Sequence, residues 1–217
     1  MSGASAGQVR RVIHTVPLLA IESSGYAYSS TRLTESLGEL GIEASLASID
    51  APGHRAVPAH VRLFPRSLGP AKLVRSRPMH AWLERETLQS GVRIIHSHSL
   101  WAMPGIYAAR VAARHGIPHV VSPRGTLAPA TMSSGSLIKR PFWTVLQLPA
   151  LRGARGFHAT SDTEALDIRR HGFHQPIALI PNGIDVIEGS KTVGSRRSVL
   201  FLARIHPIKQ PENLLRA

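Results

Sequence analysis

Short strand-like runs recur along the chain, each followed by a stretch with apolar positions at helical spacing, and this alternation restricts the fold more than any other feature. Val9 to Val16, Glu43 to Ile49, Val61 to Phe64, Arg93 to Ser97, His119 to Ser122, Gly156 to Ala159 and Ile177 to Ile180 read as strands. Thr31 to Leu40, Leu73 to Leu88, Met103 to His115, Leu137 to Leu148 and a segment capped by Ser161 and running through His171 read as helices between them. Strands that alternate with helices pair in parallel, because each crossover must return to the same end of the sheet, and a parallel sheet needs both faces covered. The expected fold class is therefore α/β, a Rossmann-like parallel sheet with helices on both faces.

Composition narrows the function classes. With 217 residues and 43% hydrophobic content the chain buries one sizeable core. It has no cysteine, which removes disulfides, thiolate catalysis and cysteine-based metal sites. No segment approaches the ~18 uninterrupted apolar residues that span a bilayer, and the first eleven residues lack the layout of a secretion signal, so a cytoplasmic location is expected. The formal charge is +13, and between Ala51 and Ser161 fifteen Lys/Arg face two acidic residues, Glu84 and Glu86. Such a surface attracts phosphates, anionic lipid headgroups or nucleic acid. Nucleic acid is disfavoured, because the cations are scattered through strand and helix patterns and aromatics amount to 5%, too few for a stacking platform. The segment Leu137 to Leu148 carries Lys139, Arg140, Phe142, Trp143 and Leu146, and so reads either as a core-packing helix with solvated cations or as a membrane-surface contact.

Near the end of the chain, the apolar run Ser198 to Ala203 reads as a buried strand, followed by Arg204-Ile205-His206-Pro207-Ile208-Lys209 and by Pro211 to Leu215 as the first turn of a helix. Arg204 offers a planar fork of donors, Lys209 a mobile point charge and the helix start its oriented N–H groups, a combination that suits a diphosphate. A solvated loop with two ordinary cations fits the same residues.

Ligands of open parallel sheets bind beyond the carboxyl ends of the strands, so loops that follow strands are the candidates. Gly25 follows the first strand and permits close approach of a phosphate or sugar, or serves only as a turn glycine. His96 and His98 stand two apart on a strand and share a face, as metal ligands, as a structural pair or as contacts to a sugar. No third ligand is apparent near them in sequence, and His98 is placed better, at the strand's carboxyl end. Arg124, in the loop after the next strand, reads as a grip for an anionic acceptor or for a leaving diphosphate, or as a surface arginine. Glu164 and Ser161 read as helix caps, and no pair of facing carboxylates suggests a hydrolase.

"IPNGID" (180–185) and "VLFLARIHPIKQPENLL" (199–215), joined by a short polar connector, resemble the hinge and first nucleotide-binding loop of family 4 glycosyltransferases of the GT-B fold. "IIHSHSLW" (94–101), "VVSPRGTLAP" (120–129) and "HATSDTEALDIRRHGF" (158–173) are similar to the same family, above all its bacterial polysaccharide-assembling members, so that the resemblance runs from Val9 onward. The family usually shows two adjacent glycines where this chain has Ser24-Gly25. The resemblance implies an N-terminal acceptor-side domain over 1–183, a linker over 184–197 and the first strand, loop and helix start of a nucleotide-sugar domain over 198–217. It implies transfer of a hexose-type sugar from a nucleotide-diphosphate donor to a glycan or polyprenyl-linked acceptor, with retention, no cofactor and no essential metal. Arg204 and Lys209 would bind the donor diphosphate, His98 and Arg124 would act in catalysis, and Gly25 and Asn182 would bind substrate. Partners would be a nucleotide sugar, the acceptor and an anionic membrane at the inner face of the plasma membrane. The family's acidic pair, two glutamates separated by seven residues after a glycine-rich turn in the second domain, does not occur before Ala217, which implies little transfer by these residues alone and keeps a non-catalytic anion-binding or membrane-surface module as the alternative.

Overall fold

The computed structural model describes residues 11–19, 25–50, 57–89, 91–133, 139–184, 199–202 and 211–216. Seven parallel strands form one sheet: β1 (Arg11–Leu18), β2 (Glu43–Ile49), β3 (Val61–Phe64), β4 (Val92–His98), β5 (His119–Ser122), β6 (Gly156–Ala159) and β7 (Ile177–Leu179), in the order β3-β2-β1-β4-β5-β6-β7. The helices are α1 (Gly25–Glu39), α2 (Arg77–Gln89), α3 (Met103–His115), α4 (Pro129–Ser133), α5 (Lys139–Phe142), α6 (Leu148–Arg152), α7 (Asp162–Arg170) and α8 (Pro211–Arg216). The α/β, Rossmann-like reading holds. The chain divides into two compact units, Met1–Gly183 and Ile184–Ala217, and the sheet lies wholly in the first.

Alternation along the central strands sorts side chains between two layers. Ile13 of β1 and Ile95 of β4 face one way, into a core with Met79, Trp82 and Leu83 of α2 and Ile106, Tyr107 and Val111 of α3. Val16 of β1 and Leu46 of β2 face the other way, against Ala27 of α1. By the two-residue period, His14, His96 and His98 lie on the Val16 face, where His14 pairs in register with His96. A further cluster closes the β5–β6 side, with Val121, Phe157 and Ala159 packed on Leu151 of α6, Ile168 of α7 and Phe173. Gly156 permits close packing there, since an added Cβ would meet the Pro176 carbonyl oxygen at 3.0 Å and force that backbone to shift.

Several boundaries differ from the expectation. Helix α1 begins at Gly25 rather than near Thr31, and β4 runs one residue further, ending on His98. The segment read as one helix over Leu137 to Leu148 is α5 and α6 joined by a π-helical stretch, Trp143–Gln147. Within the second unit, α8 begins at Pro211 as expected. Residues 199–202 form no strand, and Val199, Leu200 and Leu202 are exposed. An apolar run becomes a buried strand only where neighbouring strands take up its N–H and C=O groups, and here no described strand pairs with it.

Candidate functional site

The order of the sheet reverses at β1: the chain proceeds outward through β2 and β3 and then returns to place β4 on the other side of β1. The carboxyl ends of β1 and β4 therefore flank the topological switch point, where open α/β sheets bind ligands. Non-glycine residues in the left-handed region gather at that end. Ser99 (φ 66°) and Trp101 (φ 68°) follow β4, and Arg124 (φ 56°) follows β5, with Gly125 (φ 74°) beside it. Each such backbone costs of the order of 1 kcal/mol or more and persists because the surroundings hold it.

Those surroundings are specific. The buried Glu164 carboxylate accepts from the Gly125 N–H at 2.8 Å, the Thr160 N–H at 2.7 Å and the Thr160 hydroxyl at 2.8 Å, while its own N–H donates to the Ser161 hydroxyl at 3.2 Å. Glu164 is thus the capping residue the sequence suggests and, in addition, the clamp that fixes the Arg124 loop against the start of α7. The other side of the loop is tied through Trp101, whose indole N–H donates to the Thr126 carbonyl at 3.2 Å and whose backbone N–H donates to Gln147 Oε1 at 3.0 Å. Its ring stacks on Trp143 at 5.4 Å and lies under the Lys139 ammonium at 4.5 Å.

Arg124 reaches from this loop to two partners: Nη1 donates to Asn182 Oδ1, and Nη2 to His98 Nδ1 at 3.3 Å. A guanidinium only donates, so the lone pair of His98 lies on Nδ1 and its proton on Nε2. That proton goes to His14 Nδ1, 3.0 Å away. His14 then carries its own proton on Nε2, a buried donor with no hydrogen-bond partner among the described residues; Arg124 Nε is another. A second chain starts from the Ile180 carbonyl, which accepts from His158 Nε2 at 2.9 Å. His158 Nδ1 must then accept from the Ser122 hydroxyl at 2.9 Å, and Ser122 Oγ from His96 Nε2 at 2.7 Å.

The histidines are neutral. Burial, reinforced by Arg124 and His158, lowers His14 to about 3. Burial first, and then neighbouring histidines and Arg124, holds His96 and His98 well below the usual range. His158 is lowered mainly by burial, against the hydrogen bond to Ile180. Arg124 itself is lowered by burial, with Glu164 opposing. The site therefore presents one guanidinium charge on a frame of neutral imidazoles. Because both nitrogens of His98 are engaged within the protein, its part in this arrangement is to aim Arg124.

Of the sequence-derived candidates, His98, Arg124 and Asn182 come together. Gly25 opens α1, and an added Cβ there would meet nothing within 4 Å among the described residues. Arg204 and Lys209 lie outside the described residues. Sequence reasoning missed His14, Ser122 and His158, although Ser122 stood in the quoted "VVSPRGTLAP" segment and His158 in "HATSDTEALDIRRHGF".

The open seven-stranded parallel sheet is Rossmann-like, the architecture of a GT-B N-terminal domain. The family model for the glycosyl transferase 4-like domain matches residues 24–183, and the chain belongs to that family. Similar solved structures include sucrose-phosphate synthase from Thermosynechococcus elongatus (16% identity, 79% of this chain and 48% of that one, TM-score 0.56). Others are HepE (Alr3699) from Anabaena in complex with UDP (14%, 81% and 44%, TM-score 0.55) and UDP-GlcNAc 2-epimerase from Methanocaldococcus jannaschii (11%, 79% and 45%, TM-score 0.53). The chain spans between 44% and 48% of the length of these structures, and at such identities the likeness concerns the fold. No curated protein matches the chain.

Proposed function

We propose that the protein acts in transfer of a hexose-type sugar, with retention and without an essential metal, from a nucleotide-diphosphate sugar to a glycan or polyprenyl-linked acceptor of a cell-surface polysaccharide. The observation that carries this reading is Arg124: a strained loop within the family-matched segment holds a half-buried guanidinium at the switch point, pinned by His98 and Asn182. A cation fixed before the reaction and shielded from water stabilises negative charge as it develops, at little reorganisation cost. Two of its nitrogens are engaged by His98 and Asn182, and each of these Nη groups carries a second N–H that would serve an oxygen of the acceptor or of the departing diphosphate. Asn182 and Gly25 would contact substrate, and Arg204 and Lys209 would neutralise the donor diphosphate.

The proposed setting is the cytoplasmic face of the plasma membrane. Arg140, Val145, Arg152 and Arg155 are exposed on and just after the α5–α6 segment and would present a basic face with an apolar residue to anionic lipid. The same face supports the second reading, a membrane-surface module without catalysis. Labelled UDP-, GDP- and ADP-sugars incubated with the protein and lipid-linked glycans from its host separate the two. Incorporation from one donor supports transfer; association with the membranes and no incorporation from any donor supports the module.

A further inference from the structure

We propose that His14, His96 and His98 form a binding site for a divalent transition-metal ion of the imidazole-preferring kind, such as Zn2+ or Ni2+, and that occupation of it releases Arg124 from His98. One nitrogen from each of the three rings lies within 4.8 Å of the other two. Metal–nitrogen bonds of 2.0–2.1 Å set neighbouring ligand atoms about 3.0–3.4 Å apart, so the widest pair needs to close by about 1.4–1.8 Å at most. His14 Nδ1 and His98 Nε2 already stand at 3.0 Å. The ligands sit on two central, directly paired strands, His14 opposite His96 and His98 two residues on, a rigid scaffold for such a site.

The outer contacts are in place for His96. Metal-bound histidines hold their remaining N–H in a hydrogen bond that fixes the tautomer. His96 does so through Ser122, His158 and the Ile180 carbonyl, which leaves its lone pair on Nδ1. His14 carries its lone pair on Nδ1, facing His98, and its Nε2 proton is the buried donor without a partner. His98 is the ligand that must change. To offer Nε2 it gives up that proton and takes one on Nδ1, with no net proton change. Nδ1–H then faces the Arg124 Nη2–H across 3.3 Å, donor against donor, and Arg124 has to leave. Metal and the Arg124–His98 contact are thus mutually exclusive, and the three ligands are neutral imidazoles with no charge of their own to offset the arginine's repulsion. The ion would be an antagonist of the arrangement described above rather than a part of it. The site itself does not depend on the transferase reading.

The test is a calorimetric titration of the full, chelator-treated chain with Zn2+ and, in parallel, with Co2+ followed by its visible absorption. One ion should bind per chain. His96→Gln and His14→Gln should weaken binding at least tenfold, and His115→Gln, at a separate histidine, should leave it unchanged. Arg124→Gln should strengthen binding at least threefold, because it removes both the repulsion and the competing hydrogen bond. Unaltered affinity in the His14 and His96 variants overturns the proposal, as does weaker binding in Arg124→Gln. If a histidine variant fails to fold, the wild type decides: Co2+ must broaden the ring resonances of His14, His96 and His98 before those of His115, and the reverse order refutes the site.

Discussion

Acidification from pH 7 to pH 5 should bring this domain close to unfolding. In the folded state His14 is held to about 3 and His119, buried beside Ser97, to about 4; both are near 6.5 when unfolded. Since the folded values are depressed, the unfolded chain binds more protons below pH 6.5, and stability must fall as pH falls through that range. Over the interval each unfolded histidine goes from mostly neutral to almost fully charged, while its folded counterpart stays neutral. The linkage integral for that change is about 2 kcal/mol per group, so His14 and His119 together cost about 4 kcal/mol. His96 and His98, depressed by the same burial, add to the loss in the same direction. Small domains hold about 5–15 kcal/mol in total, so the loss is a large share of it. Urea denaturation in the presence of EDTA, followed by the fluorescence of Trp82, Trp101 and Trp143, measures the effect at pH 7, 6 and 5, with a constant m-value as the check on two-state behaviour. His119→Gln, less stable at pH 7, should lose about 2 kcal/mol less over the interval. A total loss under about 1 kcal/mol, or a gain, would refute the claim that these histidines are buried and neutral.

Other outcomes follow from particular contacts. Gly156→Ala should destabilise the domain by about 1–3 kcal/mol in the same assay, because its Cβ meets the Pro176 carbonyl at 3.0 Å, whereas Gly25→Ala should change stability by less than about 0.5 kcal/mol. Glu164→Gln should loosen the Arg124 loop, read as faster amide exchange at Gly125 and Thr160; protection equal to wild type would show that the carboxylate is not the clamp. The protein should bind vesicles that contain anionic lipid and leave them as salt rises, and replacing Arg140, Arg152 and Arg155 with glutamine should weaken that binding at least tenfold. Equal binding to neutral vesicles would contradict the proposed membrane face.

The strands were legible because each is a short apolar run bounded by Gly, Pro or polar residues, and the Rossmann-like order follows from their alternation with helices. Their exact ends were less so: nothing local in "HSHSL" says that β4 includes His98. The candidate site was legible at the loops, His98 and Arg124, since strand ends in parallel sheets mark ligand sites. Its third histidine was not. His14 stands 84 residues from His98 in sequence and reaches it only through the β1–β4 register, which depends on strand order rather than on any local pattern. Glu164 illustrates the same limit. Its cap is written in the spacing Ser161-x-x-Glu164, but its bond to the Gly125 N–H depends on how two loops converge. The apolar run Val199 to Leu202 shows the converse, for its pattern suits a buried strand, yet a strand also needs neighbours.

The role proposed for Arg124, aimed by His98 and Asn182, is to handle the charge of glycosyl transfer. It is tested most directly by incorporation of labelled sugar from nucleotide sugars into lipid-extractable glycan by membranes of cells that make the protein at its native level, as wild type, Arg124→Gln or His98→Gln. Loss of one charged hydrogen bond corresponds to about 1.5–3 kcal/mol, so Arg124→Gln should lower incorporation at least tenfold and His98→Gln by a smaller factor, with both proteins present in wild-type amount. Incorporation by the Arg124→Gln membranes at the wild-type rate would contradict the account.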